Sequence, residues 1–341
     1  MKDLLVIGGG PAGLATALYA ARAGLGVTVW DKRAGTIDKA CGEGLMPGAV
    51  AALAGLGVDP PGQDLVGIRY LAGDHVASAA FRNARGRGVR RTTLHAALCR
   101  TAEDAGVVLE HRCATGLRPG AGGVIVDGER FRYVVAADGL HSATRRRLGL
   151  DDRLSPRRRF GLRRHYRLPA WTPYVEVHWA EGVEAYVTPV AQDLVGVALL
   201  TSTRASFDDH LQSFPRLRAQ LGDAAAPGEV LGAGPLRQRS RRRVAGRVLL
   251  VGDAAGYVDA LTGEGVALGL AQARAAVAAI VDDDPVRYEK DWQSVTRRYR
   301  LTTASLLAAT RVGPVRRLLV PTAQRVPSVF AAVVNTLARP A

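Results

Sequence analysis

The sequence predicts an α/β fold: a doubly wound, mostly parallel sheet domain interleaved with an antiparallel sheet and followed by C-terminal helices. Three observations predict it. A short apolar strand at residues 3–7 runs into glycines, then a helix, then a second apolar strand at 26–30, the βαβ unit of a parallel sheet. Residues 155–240 lose the helical period and become strand-like runs cut by Gly and Pro. A further buried strand at 247–251 then precedes a long apolar helix. Because the parallel pieces lie on both sides of the antiparallel ones, the domains are interleaved.

The elements follow in order. Residues 3–7 are apolar throughout, as a strand buried on both faces must be. Residues 11–23 are rich in Ala and Leu and close at Gly24, a helix with a glycine stop. After an irregular stretch at 35–48, residues 49–57 form a short helix. Alternation over 64–90 predicts hairpin strands. Leu94, Leu98 and Ala102 share one face of a helix over 91–105. Strands follow at 107–109, 124–126 and 131–135. Those at 160–168, 174–179, 183–188 and 194–200 build the antiparallel sheet, with a helix near 207–220. A long helix spans about 263–281. Residues 285–338 are helical and amphipathic, broken at Pro314, Pro321 and Pro327. The parallel domain is assigned 1–64, 91–154 and 241–282; the antiparallel one 65–90 and 155–240; the helical segment 283–341.

Composition narrows the function classes. With 48% hydrophobic residues among 341 the chain can bury a large core. Its formal charge of +15 is carried almost wholly by arginine, which favours an anionic partner: a dinucleotide, an acidic substrate or a membrane face. The arginines are scattered, without aromatic interleaving or a nucleic-acid module, so no nucleic-acid partner is expected. Cys41, Cys99 and Cys113 form no C-x-x-C and the seven histidines no ligand spacing, so neither a disulfide framework nor a metal site is expected. The expected location is a reducing cytoplasm. No apolar stretch reaches the ~18 residues of a membrane span.

The chemistry begins at Gly8-Gly9-Gly10-Pro11-Ala12-Gly13. Gly8 permits a tight turn, Gly10 lets a pyrophosphate approach the backbone, and Gly13 lets helix pack on strand. Free N–H groups at the helix start favour phosphate charge. Asp31, with Lys32 beside it, ends the second strand, where a carboxylate can accept hydrogen bonds from an adenosine ribose. This pattern means a dinucleotide; by itself it does not separate FAD from NAD.

Two later motifs make the distinction. Val134-Val-Ala-Ala-Asp138-Gly139-Leu-His-Ser-Ala-Thr-Arg145 resembles the Asp-Gly motif of flavoprotein monooxygenases of the para-hydroxybenzoate hydroxylase type. Arg247-Val-Leu-Leu-Val-Gly252-Asp253-Ala-Ala-Gly256 resembles that superfamily's second FAD fingerprint. The continuation through Leu261-Thr262-Gly263-Glu264-Gly265, and Lys39-Ala40-Cys41-Gly42-Glu43-Gly44, look most like its geranylgeranyl reductase-like branch. Arg91, followed by Leu94 and Leu98, matches the arginine leading the helix that flanks the flavin. The resemblance spans nearly residues 1–282. It implies a Rossmann-like FAD-binding domain and a substrate-binding sheet, with Asp138 and Asp253 at strand ends facing the flavin and the Gly263-Glu264-Gly265 turn beside its pyrimidine edge. Where relatives often carry Pro before Thr-Gly-Glu-Gly, this chain has Ala260.

The resemblance places Cys41 beside the flavin, where a thiol could tune redox potential, shape the pocket, deliver a proton or form a covalent flavin link. The middle sheet should roof the site. In its strands Tyr174, Glu176 and His178 share one face and Val175, Val177 and Trp179 the other; either could meet substrate, as could His165 and Tyr186. Arg157–Arg159 and Arg237–Arg243 read as solvated faces, or as attractors of NAD(P)H phosphates. The C-terminal helices read as packed across the domain junction, with a membrane-surface or lipid-substrate face as the alternative.

The function expected first is an FAD-dependent monooxygenase that uses NADPH or NADH as reductant and O2 to hydroxylate a hydrophobic aromatic or polyketide-like molecule. The alternatives are a reductase of isoprenoid double bonds and a non-redox cyclase that keeps FAD as a scaffold. A halogenase is disfavoured, because the tryptophans form no Trp-x-Trp motif.

Overall fold

The computed structural model describes residues 1–152 and 158–339; Arg157 and the expected domain boundary at 154/155 lie outside the described residues. In chain order the first elements are β1 (Lys2–Ile7), α1 (Pro11–Arg22), β2 (Val27–Asp31), β3 (Gly44–Leu45), α2 (Pro47–Gly55), β4 (Gln63–Leu65), β5 (Gly67–Ala72), β6 (His75–Ala80), β7 (Gly86–Gly88) and α3 (Arg91–Asp104). Next come β8 (Val108–His111), β9 (Leu117–Gly120), β10 (Gly123–Val126), β11 (Glu129–Ala136) and α4 (Ala143–Arg147). The antiparallel region holds β12 (Phe160–Arg167), β13 (Tyr174–Ala180), β14 (Val183–Ala191), β15 (Leu194–Thr201), α5 (Phe207–Leu211), α6 (Pro215–Leu221) and β16 (Leu231–Ala233). The chain ends through β17 (Val244–Ala245), β18 (Val248–Leu250), α7 (Gly265–Val281), α8 (Arg287–Arg311), α9 (Gly313–Arg325) and α10 (Pro327–Leu337).

The first sheet runs β17-β18-β11-β1-β2-β8, with β10 and β9 added at β11. β8, β2, β1, β11 and β18 are parallel neighbours. Their central apolar runs are buried because α1, α3 and α7 cover one face and residues of β10 the other: Leu4, Leu5 and Val134 to Ala136 have no solvent exposure, whereas Val108 on the edge strand β8 is exposed. The second sheet runs β16-β12-β15-β14-β13-β5-β6. Residues 67–80 therefore pair with strands about a hundred residues later, in mixed register: β13 lies parallel to β5, and the rest are antiparallel.

Two expectations are corrected and one strand is added. The helix near 207–220 is two, α5 and α6, because the chain turns at 212–214 and Pro215 restarts a helix at its first position. Pro314 and Pro327 likewise start helices, but Pro321 sits inside α9 without ending it. Leu117–Gly120, to which the sequence reading assigned no element, pairs with β10 as an edge strand.

Candidate functional site

A cavity of about 860 Å³ runs between the two sheets, within the size range of sites that bury a large ligand. Its first wall is the carboxyl end of the parallel sheet. Gly8 turns the chain at φ 110°, and a Cβ there would stand 2.4 Å from the Ala137 carbonyl oxygen. At Gly13 a Cβ would stand 1.8 Å from the Gly8 carbonyl oxygen. Both glycines are therefore demanded by packing within the chain. Gly10 differs: among the described residues a Cβ there would come within 4 Å only of Arg91 Nη2, at 3.9 Å. Its open side faces the cavity, beside the uncapped start of α1.

The separate motifs meet at Ala12. A Cβ at Gly252 would lie 2.9 Å from the Ala12 Cβ, and one at Gly269 3.2 Å from it. The start of α1, the turn after β18 and α7 thus close on one another because two of the three positions lack side chains. Arg145, almost fully buried, ties the flanking loops together. Its Nη1 donates to the Ala254 carbonyl at 3.0 Å, its Nη2 to the Leu140 carbonyl and Gln238 Oε1, both at 3.2 Å, and its Nε to Asp151 at 2.5 Å. This arginine belongs to the quoted Asp-Gly motif, yet nothing in the motif reveals that it is a clamp.

Asp138 and Asp253 both line the cavity. Asp138 accepts the Thr144 N–H at 3.0 Å through one oxygen, while its other oxygen, Oδ1, is buried without a hydrogen bond among the described residues. Arg91 Nε is in the same condition. Asp253 pairs with Lys39 at 3.2 Å. Asp31 accepts from the Gly9 N–H at 2.8 Å and from the Arg33 guanidinium at 3.0 and 3.1 Å. Burial opposes its ionisation, but the Arg33 and Gly9 hydrogen bonds outweigh it and lower its pKa. Lys32 and Arg33 line the cavity beside it.

His95 was missed by the sequence reading, although it lies one helical turn past Arg91. The Ile37 N–H donates to its Nδ1 at 3.3 Å, which leaves Nε2–H to donate to the Gly9 carbonyl at 3.0 Å. It braces the glycine loop from α3. Burial lowers its pKa, helped by the nearby Arg91 charge, though the Gly9 bond works the other way.

The second wall is the Cys41-Gly42-Glu43-Gly44 loop. Glu43 adopts φ 59°, uncommon for a residue with a side chain. A chain of buried polar contacts holds it there. Asp38 pairs with Arg163, whose Nη1 donates to His165 Nδ1 at 2.8 Å; His165 Nε2–H then donates to Glu43 Oε2 at 2.7 Å. The other carboxylate oxygen accepts the Arg91 N–H at 2.8 Å. Gly196 makes room, since a Cβ there would stand 2.9 Å from Glu43 Oε2. Thr188 Oγ1 donates to the Gly42 carbonyl at 2.8 Å. Cys41 lines the cavity, and its sulfur accepts the Glu43 N–H at 3.4 Å.

The third wall is the inner face of the second sheet: Ile68, Tyr70, Val175, Val177, Tyr186 and Leu200. Leu261 and Leu337 continue it. Tyr186 donates to the Leu261 carbonyl at 2.9 Å, joining sheet to loop. His165 shares this face but stands behind Glu43 and does not reach the cavity. His178 is on the opposite face, bonded to Glu176 at 3.3 Å and edge-on to Phe214; as a substrate contact it is corrected. Of the two faces of β13, the apolar one looks inward, because the ionisable face finds its partners in Trp171, Arg69 and α6.

Gly263 and Gly265 line the cavity at the start of α7, but the Glu264 side chain does not. It points to α8, with Oε1 3.9 Å from Arg298 Nη2 and Oε2 buried without a hydrogen bond among the described residues. Burial pushes its pKa up to about 7. The expected solvated arginines also divide: Arg159 is held by Glu184 and Asp259, and Arg243 by Glu289 and the Trp292 ring. Cys99 sits against His95 and Cys113 is exposed, both away from the cavity lining.

These features fit a dinucleotide carrying a ring system. The phosphates would meet the open side of Gly10 and the start of α1. Asp138 Oδ1 and Arg91 Nε offer unused hydrogen bonds, and the backbone at 264–265, where α7 starts, offers N–H groups to the far end.

Comparison with known proteins agrees. The FAD binding domain family model matches residues 1–99 and 127–282. The chain is 29% identical over 335 residues to a menaquinone reductase of Mycobacterium tuberculosis, covering 84% of this chain and 78% of that protein. It is 28% identical over 300 residues to digeranylgeranylglycerophospholipid reductase 1 of Methanothermobacter thermautotrophicus, covering 79% and 74%. Among solved structures, the flavin-dependent halogenase CmlS superposes with a TM-score of 0.77 at 22% identity; the match covers 88% of this chain and 62% of that one. With most of its length matched by the family model, this chain belongs to the FAD binding domain family of FAD-dependent oxidoreductases, and it is similar to the geranylgeranyl reductases among them.

Proposed function

We propose that this chain is an FAD-dependent reductase of a carbon–carbon double bond in a long apolar, isoprenoid-like molecule. The observation that carries the reading is the third wall. It is mainly aliphatic, from Ile68 through Val175 and Val177 to Leu261 and Leu337, with the rings of Tyr70 and Tyr186 set among them, and Tyr186 and the neighbouring Thr188 already spend their protons on backbone carbonyls. Such a wall binds hydrocarbon through burial, at roughly 25 cal/mol per Å² removed from water. It offers little to orient a polar aromatic ring. The reductase relatives also support this reading over the hydroxylation that the motifs alone put first.

Bound FAD supplies the hydride chemistry. Reduction of a double bond adds that hydride to one carbon and a proton to the other. Cys41 lines the same cavity from the adjacent loop wall, and its thiol would release the proton from Sγ and recover one from solvent. The buried chain behind Glu43 holds the loop that carries it. Lys39 and Arg91 keep the phosphate side of the cavity positive, and the sheet excludes water from the apolar side.

The test is product mass. The protein with FAD is reduced with NADPH, NADH or dithionite and given menaquinone and geranylgeranyl lipids, with and without oxygen. A gain of two hydrogens in anaerobic reactions, lowered at least tenfold in Cys41→Ala, is expected. An oxygen-dependent gain of one oxygen atom would replace this reading with a monooxygenase. Unchanged flavin with full product formation would replace it with a non-redox role.

A further inference from the structure

We propose that the C-terminal half of α8, together with α9 and α10, forms a docking surface for an anionic lipid bilayer. This goes beyond the reduction proposed above and does not rest on it, because the argument uses no property of the substrate.

The sequence supplies the first observation. No acidic residue follows Asp291, whereas eight arginines do. A solvated helical face ordinarily mixes both signs. Within the chain Arg298 faces Glu264 and Arg316 pairs with Glu181, but the exposed Arg317 and Arg325 leave α9 with a positive face, which favours a partner of the opposite sign.

The structure supplies the second. α9 and α10 each bury one face on the second sheet: Val320 on α9, and Phe330, Val334 and Leu337 on α10. Phe330 packs against Tyr70 at 4.8 Å between ring centroids. Hydrophobic demand is met on that side, yet the opposite faces are not polar. Leu318 is 57% exposed, Val329 58% and Val333 52%. The spacing 315, 318, 322, 325 on α9 and 329, 332, 333, 336 on α10 puts these residues on single stripes pointing away from the sheet. Leu301 and Val312 extend the surface from α8 at 59% and 52% exposure. Arg317 and Arg325 stand exposed among them.

Exposed aliphatic side chains interleaved with arginine, on helices lying flat over a domain, are the pattern of an in-plane interfacial helix. A protein partner is the weaker fit: protein interfaces draw on aromatic anchors, and every exposed apolar side chain here is aliphatic. Among the described residues no helix is long and apolar enough to cross a membrane, so the surface lies on a bilayer and does not span it. The same helices reach the cavity, which Leu337 lines. A bilayer seated here would adjoin the apolar wall.

The experiment is flotation of the full chain with FAD bound, using vesicles of phosphatidylcholine alone or with one third phosphatidylglycerol. Binding to the anionic vesicles at least tenfold stronger than to neutral ones, and falling as salt rises, is expected. Leu318→Glu with Val329→Glu should lower partitioning at least tenfold, and Arg317→Ala with Arg325→Ala should remove most of the salt dependence. Neither pair contacts the cavity, so flavin absorbance and melting temperature should match the parent and report folding. Absence of vesicle binding at low salt would overturn the proposal, as would binding that survives both double variants. A dimer in solution that Leu318→Glu with Val329→Glu dissociates, with no vesicle binding by the parent, would instead assign the face to a second copy.

Discussion

Glu264→Gln should stabilise the protein at alkaline pH and leave it unchanged at acidic pH. The Glu264 carboxyl is buried, its Oε2 has no hydrogen bond among the described residues, and its nearest cation, Arg298, is 3.9 Å away. Burial therefore dominates and carries its pKa from 4.5 to about 7, with Thr262 and Arg298 only softening the rise. The sign follows from linkage. An acid whose pKa is higher in the folded chain favours folding while it is protonated. That contribution is complete below about 4.5 and is lost as the pH rises through about 7. At ~1.36 kcal/mol per pH unit, the gap amounts to on the order of 3 kcal/mol between the two ends. Gln keeps the shape of the protonated acid and does not titrate, so the variant should gain about that much at pH 8 and nothing at pH 4.5. Thermal unfolding of parent and variant across that range measures it. For a chain of this size the gain corresponds to roughly 5 °C in melting temperature at pH 8. A variant less stable than the parent at pH 8, or one with the parent's pH dependence, would refute the reasoning. The Arg298 pairing and the positive end of α7 would then outweigh burial.

Three further outcomes are expected. Gly10→Ala should fold like the parent yet bind FAD at least tenfold more weakly, while Gly13→Ala should lose stability outright, because its Cβ meets a carbonyl at 1.8 Å; calorimetry and flavin titration separate the two, and equal unfolding in both would contradict the assignment. His165→Ala should cost about 3 kcal/mol or more, since it strands the buried Glu43 carboxylate, and His165→Gln should recover much of this in urea unfolding; equal losses would show that volume matters and hydrogen bonding does not. Burial depresses the His95 pKa below 6.5, so its contribution is present above that value and is lost as the pH falls below it. His95→Asn should therefore flatten stability between pH 7 and pH 5, and a slope identical to the parent's would remove His95 as the cause.

The parallel sheet, the glycine turn and the three motifs that point to the family were legible in the amino-acid sequence. These depend on local constraints: apolar runs buried on both faces, backbone turns that need glycine, and acidic residues at strand ends. The glycine spacing also assigned Gly8 and Gly13 to packing and Gly10 to the approach of a phosphate; the structure adds what lies opposite each Cβ, a carbonyl oxygen at Gly8 and Gly13 and open cavity at Gly10. The sequence did not decide which face of β13 looks inward, because alternation defines two faces and says nothing about which meets the cavity. Tertiary packing turned Glu264 toward α8, put His178 outside the cavity and placed His165 behind Glu43. His165 meets Glu43 across 122 residues of chain, and the Arg145 clamp reaches Gln238 across 93. Side-chain direction at such a site is set by which segments pack together, and in this fold the segments that meet are far apart in the chain.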